Sequence, residues 1–223
     1  MTRKLFVEAI SKFLLGVILV GAILFLSAGT LAWFQGWLFM AVLFVPMFGA
    51  GLVMMVKNPG LLRERLNAKE EQKEQDLVVK LSGLMFLAAF VMAGLSFRFG
   101  WLVLPEWVSI IGTVLFLLAY ALYAEVLREN TYLSRTIKVQ ENQQVISTGL
   151  YGIVRHPMYF ATVILFLAMP LVLGSAISFV ILLCYPFLIA KRIANEEKVL
   201  EAGLEGYTEY KKKVKFRLIP GIW

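Results

Sequence analysis

Phe13-Leu14-Leu15-Gly16-Val17-Ile18-Leu19-Val20-Gly21-Ala22-Ile23-Leu24-Phe25-Leu26-Ser27-Ala28-Gly29-Thr30-Leu31-Ala32-Trp33 contains no charged residue. A hydrocarbon core takes about 20 apolar helical residues to cross, and a cleavable secretory signal has an apolar centre of only about 7–15. The stretch is therefore read as a retained membrane-spanning helix. Five more apolar blocks follow, so the spans fall at about 13–33, 36–56, 77–97, 106–127, 157–173 and 175–190. Composition agrees: 60% of the 223 residues are hydrophobic and 17% charged, against about a quarter charged in a soluble domain. The expected fold is all-α and polytopic. It is one membrane domain over 1–223, with a four-span part at 1–127 and a part at 128–223 that carries the motifs.

The connections between spans fix further expectations. Trp33-Phe34-Gln35-Gly36-Trp37 joins the first two spans and is rich in aromatics suited to the membrane interface. Gly174-Ser175 joins the last two tightly, so those form a C-terminal helical hairpin, short for a full crossing. Asn58-Pro59-Gly60 is a turn signal. After it, a short surface helix and a solvated link to Asp76 are expected. With the N-terminus inside, every Lys and Arg outside the spans except Arg98 falls on one side, and Lys80 lies within the third span near that same side. Positive charge favours the cytoplasmic side, so both termini are placed in the cytoplasm.

A net charge of +7 does not imply nucleic acid here. The basic residues flank spans and would meet anionic lipid headgroups. The lone Cys184 lies in an apolar run and can form no intrachain disulfide.

Chemistry concentrates in Gln140–Tyr159 and Arg192–Tyr210. Arg155-His156-Pro157 opens the fifth span: proline suits a first helical position. The free N–H groups of that turn, with Arg155 and His156, offer a place for a carboxylate or phosphate. Basic residues beside a span also commonly serve topology alone, and Tyr151 and Tyr159 could be ordinary interfacial aromatics. His156, however, is the chain's only histidine. Arg192 and Glu196 are four apart and share a helix face, which by itself could be an exposed ion pair. The hairpin brings them beside Arg155 and His156. Tyr207-Thr208-Glu209-Tyr210-Lys211-Lys212-Lys213 reads as a basic amphipathic tail lying on anionic lipid, and the apolar group Leu218–Trp223 as an interface anchor.

Together, Gly149-Leu150-Tyr151-Gly152-Ile153-Val154-Arg155-His156-Pro157-Met158-Tyr159, Arg192-x-x-x-Glu196-Glu197 and Tyr207-x-x-Tyr210 resemble the isoprenylcysteine carboxyl methyltransferase family, which is similar to the phospholipid N-methyltransferases. Asn58–Arg65 resembles bacterial members, so a bacterial or archaeal membrane is expected. The resemblance implies S-adenosylmethionine as methyl donor, held at the cytoplasmic ends of the last spans. It implies that Gln140, Gln143, Gln144, Val145 and Ile146 line the cofactor's approach. Tyr151, His156, Pro157, Met158, Tyr159 and Glu196 would hold the cofactor, and Arg192 would face the acceptor carboxylate. The implied activity is carboxyl O-methylation of a lipid-like or prenylated acid arriving from the bilayer. Two departures stand against the pattern: Ala161 where many members have glycine, and fewer spans than the eukaryotic enzymes. Phospholipid N-methylation, a nicotinamide-dependent reductase (sterol reductases have a similar C-terminal pattern) and a non-enzymatic membrane scaffold are the rival readings.

Overall fold

A computed structural model describes residues 3–67, 73–134, 136–137 and 139–223, and all regular structure among them is helical. Most of the link expected before Asp76 lies outside the described residues. Four long helices come first: α1 (Arg3–Ala28), α2 (Phe34–Lys57), α4 (Lys73–Phe99) and α5 (Glu106–Glu129), with the short α3 (Pro59–Leu66) between the second and third of these. The C-terminal part has α6 (Pro157–Val172), α7 (Ala176–Leu182), α8 (Tyr185–Gly203) and α9 (Tyr207–Lys213).

Four of these, and α7 with α8 taken together, make five candidate spans by length and composition. The shorter α6 is apolar and packed inside them. Large apolar side chains such as Leu26, Phe34, Val56 and Phe187 point outward. In water that surface would be an aggregation liability; in a bilayer it is the solvated face. Inside, Leu24, Phe39, Phe116, Val172, Leu182 and Ile193 are almost fully buried and form one continuous core. The chain is an integral membrane protein of packed helices.

Local chemistry explains the boundaries. Gly29 adopts φ +70° and its N–H closes on Phe25 O at 3.0 Å, so α1 ends there. The first helix therefore runs 3–28, not 13–33. Its charged first turns are helical too, held in part by a Glu8–Lys12 pair four residues apart at 2.6 Å. Asn58 caps α3 by accepting from Leu61 N at 3.0 Å, and Pro59 takes the first helical position.

The expected last span, 175–190, is two helices rather than one. Ser175 caps α7, accepting from Ser178 N and donating to Ser96 Oγ of α4 at 2.9 Å. After Leu183 and Cys184 the chain restarts with Pro186 in the first turn of α8, where its missing N–H is harmless. The new helix then runs unbroken to Gly203. It lifts Arg192, Glu196 and Glu197 on a rigid rod beside the start of α6.

Candidate functional site

At the end of the bundle where α6 begins, a cleft opens that encloses about 800 Å³, part of it open solvent. Its floor is the first turn of α6, with Met158 and Tyr159; one wall is α8, with Arg192 and Glu196. Asn130, Tyr132 and residues 143–146 of the connection after α5, with the tyrosines of α9, complete it. Gln143, Gln144, Val145, Ile146, Tyr151, His156, Met158, Tyr159, Arg192 and Glu196 thus all line one cleft. Gln140 and Pro157 are not among the lining residues. The Gln140 side chain donates to Tyr132 O and its backbone N–H binds Gln143, which folds the loop on itself. Pro157 is buried at the helix start.

The Tyr159 hydroxyl joins the two halves of the motif. It accepts from Arg192 Nε at 3.0 Å and donates to Glu196 Oε2 at 2.5 Å. Arg192 extends its other arm to α4, where Nη1 donates to Gln75 Oε1 at 3.3 Å. So the i,i+4 relationship read from sequence becomes a three-helix junction.

The anion expected to dock at Arg155 and His156 is supplied by the chain itself. Arg155 Nε donates to Glu197 Oε1 at 2.7 Å, and His156 Nε2 lies 3.3 Å from the same oxygen. Arg217 Nε reaches the other oxygen at 2.9 Å. Arg155 Nη1 also binds Val214 O and Lys215 O, and the backbone N–H groups of Arg155 and His156 bind Phe216 O and Arg217 O. Arg155 is therefore a clamp on the C-terminal segment, its Nε and Nη1 already donating within the chain. Glu197 was quoted in the motif without a role. One residue round the helix from Glu196, it faces inward while Glu196 faces the cleft.

The tail corrects a second expectation. Tyr207 and Tyr210 are buried in a small apolar cluster with Leu204 and Val214, against Val139 and Val145. Tyr210 donates to Tyr151 O at 2.7 Å. So α9 is a wall of the cleft, and only its lysine face remains outside. The Tyr207-x-x-Tyr210 spacing was the signal, since residues three apart share a helix face.

Burial holds the hydroxyls of Tyr151, Tyr207 and Tyr210 above the usual tyrosine range, so they stay protonated at neutral pH. Tyr207 O–H has no hydrogen-bond partner among the described residues. A buried hydroxyl at a cleft wall with nothing to bind costs about 1–3 kcal/mol. Such a group fits a ligand that brings the missing acceptor.

A bundle of apolar helices with a polar, aromatic-walled cleft at one end defines a polytopic membrane protein. Residues 109–202, less than half of the chain, match the isoprenylcysteine carboxyl methyltransferase family, which that part of the chain resembles. Two curated relatives are Delta(14)-sterol reductases. TM7SF2 of Mus musculus is 31% identical over 91 residues, and that of Methylotuvimicrobium alcaliphilum 27% over 93. Each match covers 40% of this chain and 22% of the relative, so the shared part is about a fifth of their length.

Proposed function

We propose that this chain is an S-adenosylmethionine-dependent methyltransferase that esterifies the carboxylate of a lipid-like or prenylated acid. The observation that carries it is the Tyr159 hydroxyl held between Arg192 and Glu196 on the cleft wall. It sets a cation-binding carboxylate and an anion-binding guanidinium next to each other. A reaction between a cationic donor and an anionic acceptor asks for that pairing.

The donor set fits the cofactor. Tyr132, Tyr151 and Tyr207 offer aromatic faces, Glu196 a carboxylate for an ammonium or ribose hydroxyls, and Tyr207 an unmet donor. The cofactor supplies an electrophilic methyl group on sulfur when bound. Transfer is an in-line displacement, so the protein's task is alignment. Arg192, anchored on Tyr159 and Gln75, orients the acceptor carboxylate. A carboxylic acid with pKa near 4 is already ionised at neutral pH, so no general base is needed. His156, engaged with Glu197, is then a structural part of the wall and not a proton relay.

The Lys/Arg segregation supports a cleft at the cytoplasmic leaflet, with both termini inside and the basic face of α9 on anionic headgroups. The acceptor enters from the bilayer.

The deciding experiment incubates purified protein with methyl-labelled S-adenosylmethionine and a panel of prenylated acids and aminolipids. Base-labile label on an acid is expected. Label on phosphatidylethanolamine instead would move the assignment to N-methylation, with Glu196 as the base that an amine acceptor requires. The sterol reductase relatives favour a second reading, a nicotinamide-dependent reductase. Tight NADPH binding with no binding of S-adenosylhomocysteine would replace the methyltransferase reading with that one.

A further inference from the structure

Asn130, the residue that ends α5, belongs to none of the motifs read from the sequence, yet it lines the cleft. Its side-chain amide is engaged at both ends. Oδ1 accepts from Tyr132 N at 3.0 Å, and Nδ2 donates to the Tyr151 hydroxyl at 3.1 Å. A backbone N–H can only donate, so the amide cannot be turned the other way round. The Tyr151 oxygen therefore receives a hydrogen bond, and its own proton has to go elsewhere.

Among the described residues, no acceptor for that proton stands within hydrogen-bond reach. Burial keeps the proton on the oxygen at neutral pH. The turn that carries the ring, Gly149–Gly152, is pinned from two directions. Glu129 Oε2 accepts from Leu150 N at 3.1 Å, and Tyr210 donates to the Tyr151 carbonyl at 2.7 Å. Tyr151 and Asn130 both line the cleft, so the cleft is where an acceptor can arrive. With Asn130 donating to it, a ligand there meets the hydroxyl as a donor.

We infer that Asn130 is a positioning residue, which fixes the Tyr151 hydroxyl as a hydrogen-bond donor to an acceptor atom of the bound cofactor. The inference deepens the methyltransferase reading and rests on it for the identity of that cofactor. Tyr207, whose hydroxyl is unpartnered among the described residues, lines the same cleft. Two neutral donors suit a nucleoside, whose ribose oxygens and ring nitrogens supply acceptors.

The test is a double-substitution cycle on the full chain in nanodiscs, read by equilibrium binding of S-adenosylhomocysteine and by the melting midpoint. Tyr151→Phe removes the donor and should weaken binding about threefold to tenfold, the range of one neutral hydrogen bond. Asn130→Asp keeps an oxygen for Tyr132 N but puts an acceptor where the amide nitrogen was. The Tyr151 proton is then drawn away from the cleft, and a loss of about the same size is expected. Asn130→Ser is uncharged, keeps an oxygen beside Tyr132 N and lets the hydroxyl turn; it should cost about twofold. In the Tyr151→Phe background neither substitution at Asn130 should weaken binding further, because the group they act through is gone. A residue that only braces the loop would cost as much in that background as in the wild type. Equal losses in the two backgrounds, or no loss from either substitution in the wild type, would overturn the inference. If the melting midpoint shows Asn130→Asp to be unfolded, the Asn130→Ser comparison decides alone. Wild-type protein that binds NADPH and not S-adenosylhomocysteine would remove the methyltransferase reading, and the same cycle with NADPH would then decide the role of Asn130. Binding of neither probe would overturn both.

Discussion

Arg155 and Glu197 form a buried ion pair, Nε to Oε1 at 2.7 Å, with 4% and 3% of their side chains exposed. The pair links the loop before α6 to the far part of α8, and Arg155 passes the connection on to the carbonyls of Val214 and Lys215. Arg217 then closes back onto Glu197. The C-terminal segment is thereby strapped across the start of α6, and α9 is held as a wall of the cleft.

Removing one partner of such a network leaves buried charge unmet, at about 3–5 kcal/mol. Glu197→Gln is therefore expected to lower the unfolding midpoint in detergent and to release the tail. Trypsin should cut faster within Lys211–Lys215 in the variant. An unchanged midpoint together with unchanged cleavage would show that Glu197 holds nothing.

Tyr207→Phe should move stability and binding in opposite directions. The hydroxyl is buried with no partner among the described residues, so deleting it relieves a cost of about 1–3 kcal/mol, while the ring keeps its place in the α9 cluster. A higher midpoint with about tenfold weaker S-adenosylhomocysteine binding is expected. A lower midpoint with unaltered nucleotide affinity would make the hydroxyl structural.

Hydropathy located the five candidate spans because lipid contact needs a run of apolar side chains, and that is a local property; it also counted the shorter α6 as a span and read the α7–α8 break as one helix. It misplaced α1 because it senses where lipid is, not where backbone hydrogen bonding stops: the charged turn at Arg3–Lys12 is helical, and Gly29 ends the helix early. The site was legible where its residues are consecutive or at helical spacing, as in Arg155-His156-Pro157 and Arg192/Glu196. Gln75 was not, because it meets Arg192 from 117 residues away. Arg65, reaching Tyr123 and Met158 from α3, escaped for the same reason. Arg155 was read as a donor to a docked anion, while Glu197, its actual partner, was given no role. A basic pair at a helix start looks the same in sequence whether its anion is a ligand or a distant side chain.

Arg192→Lys keeps the charge and should still impair the proposed methyl transfer. The guanidinium spans two helices, with Nε on Tyr159 of α6 and Nη1 on Gln75 of α4. A single ammonium cannot hold both in one fixed geometry. Acceptor kcat/KM is expected to fall about tenfold to a hundredfold, the loss of one or two charged hydrogen bonds. S-adenosylhomocysteine affinity should stay within about twofold. Equal kcat/KM in the two proteins would show that Arg192 supplies charge alone.

The cleft also depends on how closely α5 and α6 approach. A Cβ added at Gly112 would lie 2.7 Å from both Val172 N and Leu171 Cβ, and backbone cannot swing aside as a long side chain can. Membrane helices use small residues for this purpose, because packing replaces the hydrophobic drive between them. Gly112→Ala must therefore push α6 away from α5, and α6 carries Met158 and Tyr159 while α5 leads into the cleft loop at Asn130. Gly83 of α4 is the matched control, since nothing lies within 4 Å of its added Cβ. There alanine should only improve helix propensity, by about 0.5–1 kcal/mol. The two substitutions are chemically identical and both mid-helix, so propensity predicts the same gain for each. A fall in the melting midpoint and in nucleotide affinity for Gly112→Ala, against a small rise for Gly83→Ala, would isolate the close approach as the cause. Two equal gains would mean that α5 and α6 do not need glycine to meet.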